Sequence, residues 1–326
     1  MITHDAGSGD AEQRANLAIV MPTFNRMLQT LACAEAAYAA VCAMSGARLV
    51  LVDNGSTDGT WEALRERFDS HATLLRAPAV SISALRNLGA GACGAEVVCF
   101  VDSDCLVPRD YLNRTLQVLS ETAAAAVGAM YALPPDAHWI EGTWARLNCP
   151  PRHGPATLLP GGSLSVRMTA FRAVGGFDES FTTGEDADLC DRLQRSGGKI
   201  YESADLAVVH LRNVNSIRAF FAKQVWYSMG AIAQTGRLPA DRTTLMSLAH
   251  CLLSMVAIVS LFELGPTTSG IGLALGSLVL TPAAAVAYRV LLRGGALVPL
   301  PSMLLYSVYF YARAAGICRA LLARTA

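Results

Sequence analysis

Two acidic residues, Asp102 and Asp104, directly follow the apolar run Val97–Val101. The run is short, β-branched and apolar on both faces, as is typical of a central strand in a parallel sheet covered by helices. Ligands of open α/β sheets bind at the carboxyl ends of strands. Two carboxylates separated by the small residue Ser103 can share a divalent metal ion there, or divide metal and hydroxyl contacts. The same tripeptide is common in solvated loops, so its role depends on what the rest of the chain places beside it.

Two more apolar strands are predicted upstream of this one. They end in polar loops, with Pro22, Thr23, Asn25 and Arg26 after residues 17–21 and Asp53 after residues 48–52. The helical segments between the strands predict a doubly wound parallel sheet, with Asp53 and Asp102 at the ends of neighbouring strands. A crevice lined by such strand ends can stack a base, accept its N–H groups and hold a ribose. A metal ion held by Asp102 and Asp104 would neutralise the phosphates of a bound nucleotide.

The composition restricts the class of protein. Lys and Arg total 26, as do Asp and Glu, so the formal net charge is zero and no nucleic-acid partner is expected. The hydrophobic content of 52% is high for a soluble protein, and the excess lies after Thr243. The nine cysteines are scattered through apolar runs without metal-type spacing. This pattern predicts reduced packing residues in a cytosolic domain.

The C-terminal part of the chain is predicted to enter a membrane. Residues 243–264 and 267–292 are each long enough to cross a bilayer as a helix, and each holds one charged residue near its end. A buried helical pair in a soluble protein is the alternative. The third apolar segment, residues 296–312, contains two prolines and is predicted to be spanning or interfacial.

The flanking charges predict the orientation of these spans. Basic residues lie on one side of both spans: Arg218, Lys223, Arg237, Arg242, Arg289 and Arg293. The positive-inside rule places that side in the cytoplasm. Residues 1–15 are polar, lack the pattern of a signal peptide and are predicted to be a disordered leader. We therefore expect a multi-pass inner-membrane protein with a cytoplasmic catalytic domain at 16–215, a helical juxtamembrane linker at 216–242 and a membrane region at 243–326.

Five spaced motifs closely resemble, in the same order, those of family 2 glycosyltransferases. They are residues 20–26 (VMPTFNR), 52–60 (VDNGSTDGT), 84–89 (ALRNLG), 102–104 (DSD), and 175–178 (GGFD) together with 184–189 (GEDADL). The resemblance covers about residues 17–210 and excludes the apolar tail. It implies the GT-A fold, a nucleotide-diphospho-sugar transferase fold with a Rossmann-like mixed sheet flanked by helices.

The resemblance also implies a donor site. Thr23 and Asp53 match base-contacting positions, and Arg86 matches a basic position near the nucleotide. The predicted nucleotide-sugar site comprises Pro22, Thr23, Asn25, Arg26, Asp53, Arg86, Asp102, Ser103, Gly162 and Glu185. The pair of glycines that includes Gly162 would let the backbone approach the donor, which is a UDP-, GDP- or dTDP-sugar. For Arg86, a local pairing role is the alternative.

Metal ligands and a base follow from the same resemblance. Asp102 and Asp104 match the DxD motif, whose last carboxylate coordinates Mg²⁺ or Mn²⁺ on the donor diphosphate. His210 resembles a histidine that completes the metal shell in some members, with a purely structural histidine as the alternative. Asp186 matches the catalytic base, although a carboxylate at a helix N-terminus is also stabilised by the helix dipole. One base and no covalent nucleophile predict a single displacement with inversion at the anomeric carbon.

The expected function is transfer of one sugar at a time to a lipid-linked or glycan acceptor at the cytoplasmic membrane face, for envelope polysaccharide or glycolipid assembly. Processive members carry a Gln-x-x-Arg-Trp signature, whereas the nearest run here, residues 224–226, lacks the arginine. A processive polysaccharide synthase and a polyprenyl-phosphate glycosyltransferase are the enzymatic alternatives. The non-enzymatic alternative is a membrane protein that binds a nucleotide sugar or glycan. Trp139 and Trp144, in a long connection predicted to cover the active site, stack on a sugar or pack internally.

Overall fold

The computed structural model describes residues 16–211, 214–235, 242–294 and 298–325. The predicted leader, residues 1–15, lies outside these ranges, as do parts of the linker and of the third apolar segment. The described strands are β1 (Leu17–Thr23), β2 (Arg48–Asp53), β3 (Thr73–Arg76), β4 (Val97–Val101), β5 (Cys105–Leu106), β6 (Ala126–Gly128), β7 (His153–Pro155), β8 (Ser163–Arg167), β9 (Ile200–Ser203) and β10 (Val209–His210). The described helices are α1 (Met27–Cys42), α2 (Thr60–Phe68), α3 (Ile82–Ala92), α4 (Tyr111–Thr122), α5 (Trp139–Asn148), α6 (Met168–Ala173), α7 (Glu185–Arg195), α8 (Ile217–Thr235), α9 (Arg242–Leu264), α10 (Thr268–Arg293) and α11 (Pro299–Thr325).

Eight of these strands form one sheet in the order β3-β2-β1-β4-β8-β6-β9-β7. The first four are parallel, while β8 runs antiparallel to both β4 and β6. The mixed α/β sheet of the predicted fold class is confirmed. The expectation that β2 and β4 are neighbours was wrong, because β1 lies between them and pairs with both. Asp53 therefore lies opposite Thr23, one strand further from Asp102 than predicted.

Helices cover both faces of the sheet, as its sequence pattern requires. Successive side chains of a strand point to opposite faces, so Ile19 packs with residues of α1, α2 and α4 and Val20 with residues of α3, α6 and α7. Every residue of β1 and β4 is buried. The two central strands are thus held by apolar packing on both faces, and their polar ends emerge at one edge.

The C-terminal helices α8 to α11 pack against one another, and α10 and α11 also pack against α5 of the preceding α/β part of the chain. Helices α9 and α10 are long and apolar enough to cross a bilayer, with mean hydropathies of 2.2 and 1.8 in their most apolar windows. Large apolar side chains on α9 are exposed, among them Phe262 at 84%. The third apolar segment belongs to the longer helix α11, in which Pro299 and Pro301 occupy the first turn, where proline is tolerated. A Cβ on Gly316 of α11 would lie 2.5 Å from Cβ of Ser228, so α8 and α11 approach closely.

The connection at residues 134–155, predicted to cover the active site, has regular structure of its own. It contains α5, whose Trp144 ring packs against the rings of Phe220, Tyr306 and Tyr309, with centroid distances of 4.9, 5.3 and 5.1 Å. Trp144 therefore packs internally, between the catalytic domain and α8 and α11. Trp139, at the start of the same helix, is 45% exposed.

Candidate active site

A pocket of about 310 Å³ lies at the carboxyl ends of β1 and β4. Its lining is Pro22, Thr23, Phe24, Arg26, Asn54, Ile82, Leu85, Arg86, Asp102, Ser103, Asp104 and Glu185. The structure therefore gathers eight of the predicted site residues in one cavity. Asn25, Asp53, Gly162, Asp186 and His210 lie outside its lining.

Asp53 stabilises the loop that follows β2, beside the pocket. Its side chain is buried, and Oδ2 accepts hydrogen bonds from the backbone N–H groups of Gly55 and Ser56, both at 2.9 Å. The guanidinium of Arg76 lies 3.3 Å from the same oxygen. Asn25 is also engaged locally, because its Oδ1 accepts a 3.0 Å hydrogen bond from the Thr57 backbone. Both side chains hold together the loops after β1 and β2.

Arg86 connects two motifs that lie far apart in the sequence. Its side chain is only 3% exposed, and its two terminal nitrogens donate 2.7 Å hydrogen bonds to Oδ1 of Asp102 and Oε1 of Glu185. Burial lowers the pKa of Arg86, but the carboxylates of Asp102 and Glu185 outweigh burial and keep that pKa above its usual value. The ring of Phe177 lies 5.3 Å from the guanidinium carbon and closes the other side. Arg86 is therefore a fixed cation beneath the pocket.

The two glycines before β8 pass directly over these charged groups. A Cβ on Gly161 would lie 2.8 Å from a guanidinium nitrogen of Arg86, and a Cβ on Gly162 would lie 2.5 Å from Oδ2 of Asp102. The backbone N–H of Gly162 donates a 3.2 Å hydrogen bond to the Tyr131 hydroxyl. Any side chain at either glycine would displace the ion pairs. The pair of glycines indicated a close approach, but no sequence motif had indicated Tyr131.

Asp186 is the second residue of α7 and faces the same loop. Its Oδ2 accepts a 3.1 Å hydrogen bond from the Gly161 backbone, and its Oδ1 accepts one of 2.8 Å from Ala187. Burial, and secondarily the charge of Glu185, raise the pKa of Asp186 above its usual value, although these two N–H groups oppose the shift. A carboxylate held in this way can accept a proton near neutral pH more readily than a solvated one.

Among the described residues, Asp104 and His210 form the core of a cluster that could bind a cation. Nε2 of His210 lies 3.6 Å from Oδ1 of Asp104, and the register of the antiparallel pair β5 and β10 places His210 opposite Cys105. Ligand atoms of Asp104, Cys105 and His210 all lie within 4.8 Å of one another. The Cys105 thiol is fully buried, and soft sulfur is a poor ligand for the hard cations Mg²⁺ and Mn²⁺. Asp102, also a predicted ligand, directs Oδ1 to Arg86 and lies outside this cluster.

The carboxylate of Asp104 and the imidazole of His210 are suitable ligands for Mg²⁺ or Mn²⁺. Phosphate oxygens and water would fill the other positions around the ion. An ion could reach these ligands, because both side chains are 13% exposed and line a second pocket of about 600 Å³. Arg26 also lines that pocket, and its Nη1 lies 3.4 Å from Oδ2 of Asp104. Lys223 of α8 lines the same pocket, although the sequence motifs did not indicate this residue.

The architecture and these motifs define the class of protein. Residues 18–174 match the model of Glycosyl transferase family 2, and residues 97–314 match that of Glycosyl transferase family group 2. The chain belongs to the family 2 glycosyltransferases.

Individual relatives give a consistent picture. The pre-mycofactocin glycosyltransferase of Mycobacterium tuberculosis is 30% identical in an alignment 220 residues long that covers 62% of this chain and 45% of that protein. The chain thus spans less than half the length of that relative. The succinoglycan biosynthesis protein ExoA of Rhizobium meliloti is 26% identical in an alignment 248 residues long that covers 66% of this chain and 68% of that protein.

One solved structure shows the same fold. A mannosyltransferase from Pyrobaculum calidifontis, solved in complex with GDP-Man and Mn²⁺, aligns with a TM-score of 0.61 at 16% identity. The alignment covers 96% of this chain and 89% of that one, so it includes the C-terminal helices as well as the sheet.

Proposed function

We propose that this protein is an inverting, metal-dependent glycosyltransferase that moves one sugar from a nucleotide-sugar donor to a lipid-linked or glycan acceptor. The observation that carries the proposal is the pairing of Arg86 with Asp102 and Glu185, since it joins the DxD motif to the helix of Asp186 at one pocket. Family membership and the relatives named above support the reaction class.

The donor occupies the pocket at the ends of β1 and β4 in this proposal. Thr23 and the loop held by Asp53 contact the base, and Arg26 lies beside the diphosphate, where its positive charge stabilises the anion. The mannosyltransferase of similar fold was solved with GDP-Man, which supports a nucleotide sugar as the ligand class. UDP-, GDP- and dTDP-sugars all fit this description.

Asp104 and His210 would hold Mg²⁺ or Mn²⁺ next to the diphosphate. When bound, the cation supplies stabilisation of the negative charge that builds up on the leaving nucleoside diphosphate. Arg26 adds a second positive charge to the same place. Arg86 acts in this proposal by holding the carboxylates of Asp102 and Glu185 in place, since its side chain is only 3% exposed and pairs with both of them.

Asp186 acts as the general base. Its raised pKa suits removal of the proton from an acceptor hydroxyl as that oxygen attacks the anomeric carbon. The C–O bond to the donor phosphate breaks as the new glycosidic bond forms, and the proton passes to Asp186. Because attack and departure occur on opposite faces of the sugar, the anomeric configuration inverts.

The acceptor is proposed to approach from the membrane side. Helices α9 and α10 expose apolar side chains along their length, which supports insertion in the inner membrane with residues 16–215 on the cytoplasmic face. The relative ExoA is a succinoglycan biosynthesis protein, which supports envelope polysaccharide or glycolipid assembly as the setting.

Calorimetric titration of the full chain with nucleoside diphosphates and their sugars tests the donor assignment. We expect one nucleotide class to bind only with Mn²⁺ or Mg²⁺ present, and Asp104→Asn to lose that binding. A transfer assay with the selected donor and lipid-extract acceptors should then give products one sugar longer, with inverted configuration by proton NMR. Binding without any transfer would favour the nucleotide-sugar-binding alternative, and long polymer would favour the processive one.

A further inference from the structure

A separate pocket of about 250 Å³ lies where the catalytic domain meets the C-terminal helices. Its walls come from α5, α9, α10 and α11, and they include Trp144, Arg242, Tyr288, Arg289, Tyr306 and Phe310. It shares no lining residue with the donor pocket or with the pocket around His210. The catalytic proposal therefore leaves this cavity without a role.

Two arginines give this pocket a net positive charge. Arg242 donates a 3.4 Å hydrogen bond to the Tyr288 hydroxyl, and Nε of Arg289 donates one of 3.2 Å to the Tyr306 hydroxyl. Tyr306 in turn donates a 2.8 Å hydrogen bond to Oδ1 of Asn148. Within the parts of the chain that the structure describes, neither arginine forms an ion pair with an Asp or Glu side chain. Among the described residues, the groups that hold the two guanidinium groups in place are thus phenol hydroxyls.

The pocket lies at one end of the proposed membrane bundle. Arg242 is the first residue of α9, and Arg289 precedes the end of α10 at Arg293 by four positions, which is about 6 Å along the helix. The same end carries α5 of the catalytic domain. In the membrane placement proposed above, this is the level of the lipid phosphates on the cytoplasmic face, where tyrosine, tryptophan and arginine side chains are favoured.

We infer that this pocket binds the phosphate group of an anionic membrane phospholipid. The inference rests on the membrane placement in the proposed function, but not on the transfer reaction. Arg242 and Arg289 would supply charge-assisted hydrogen bonds to the phosphate, and the apolar wall with Phe310 would cover the first part of the acyl chains. A choline headgroup would bring a further positive charge next to two arginines. An anionic headgroup such as that of phosphatidylglycerol is therefore selected over phosphatidylcholine.

A bound lipid would stabilise the contact between α5 and the C-terminal helices α9, α10 and α11. Trp144 and Asn148 belong to α5, whereas the arginines belong to α9 and α10, so one ligand contacts both parts. Its binding should raise the temperature of unfolding, because a ligand that binds only the folded state stabilises it.

Native mass spectrometry of the delipidated full chain in detergent tests the assignment, with no donor or acceptor present. We expect one molecule of phosphatidylglycerol to bind about tenfold more tightly than phosphatidylcholine, because only the latter places a cation next to Arg242 and Arg289. Inorganic phosphate should neither bind measurably nor compete, since it cannot cover the apolar wall. Equal binding of the two lipids, or displacement of phosphatidylglycerol by equimolar polyprenyl phosphate or inorganic phosphate, would overturn the assignment.

Three variants locate the binding. Arg242→Gln, at the exposed first residue of α9, should weaken phosphatidylglycerol binding about tenfold and abolish its preference over phosphatidylcholine. Arg289→Lys keeps the positive charge and a donor near Tyr306, so this variant should still fold. It should also still prefer phosphatidylglycerol over phosphatidylcholine. The matched control is Arg218→Gln, an exposed arginine on α8 outside the pocket, which should bind the lipid as the unmodified chain does. Unchanged preference in Arg242→Gln would refute the site, whatever the transferase assays show.

Discussion

One terminal nitrogen of Arg86 lies 2.7 Å from Oδ1 of Asp102, although the two residues come from different motifs on α3 and after β4. The other terminal nitrogen holds Glu185 at the same distance. This buried cation keeps two like-charged carboxylates at one pocket, where they would otherwise repel each other. The contact organises the DxD motif and the start of α7 as one unit.

Replacing Arg86 should damage both stability and activity. Arg86→Ala leaves two carboxylates without their cation, and breaking a buried pair costs about 3 kcal/mol or more. Arg86→Lys keeps the charge but cannot reach both acids, so its loss should be intermediate. Urea unfolding and kcat/KM measure the two effects. The control is Arg114→Lys, whose pair with Asp110 is about half exposed and should change stability by less than about 1 kcal/mol.

A side chain at Gly162 should disrupt the same centre. In Gly162→Ala the new Cβ would lie 2.5 Å from Oδ2 of Asp102 and 2.8 Å from the Tyr131 hydroxyl. We expect kcat/KM to fall about tenfold or more, because the carboxylate must move. Gly91→Ala, in α3 with open space around its Cβ, should instead stabilise the protein by about 0.5 kcal/mol. Equal activities of the two variants would contradict the close-approach argument.

Asp186 should control the pH dependence of the reaction. Only the ionised carboxylate accepts a proton, and burial raises the pKa of Asp186, so kcat/KM should rise with pH and level off above a midpoint higher than the usual pKa of an aspartate. Asp186→Asn should lower kcat by about 10² to 10⁴ while metal-dependent donor binding persists. Rate measurements across pH and calorimetry separate these effects. Loss of donor binding in Asp186→Asn would indicate a structural role instead.

Metal binding should depend on Asp104 and His210 but not on Cys105. A chelator should abolish metal-dependent nucleotide binding, and added Mn²⁺ should restore it. Asp104→Asn and His210→Ala should each weaken Mn²⁺ binding by at least about tenfold, measured by electron paramagnetic resonance titration. Cys105→Ala should retain the affinity, because the buried thiol is a soft ligand and Mn²⁺ prefers oxygen ligands. A loss of affinity in Cys105→Ala would add this residue to the ligand set.

Helix α8 should influence catalysis through Thr183. A Cβ on Gly230 would lie 1.9 Å from Cγ2 of Thr183, three residues before Asp186. Gly230→Ala should therefore lower kcat more than it weakens donor binding, since the loop that carries the base must shift. Gly276→Ala on α10, where nothing lies within 4 Å of the new Cβ, is the matched control and should leave kcat unchanged. Similar kcat values for the two variants would show that α8 does not constrain this loop.

Local sequence patterns were sufficient for the first strands of the sheet and for most of the pocket. Apolar runs that end in Thr23, Asp53 and Asp102 predicted buried strands, because period and polarity are local properties of the chain. The carboxyl ends of parallel strands meet at one edge, which brought these positions together without any knowledge of strand order.

Strand order and long-range contacts were decided only by the tertiary structure. β1 inserts between β2 and β4, and β5 pairs with β10, which brings His210 to Asp104 across 106 positions. The partners of Arg86 were likewise decided by the tertiary structure, because they depend on where α3 and α7 pack. Trp144 packs against α11, which its sequence position did not indicate. Such contacts depend on the packing of whole elements, and no local propensity specifies which distant side chains become neighbours.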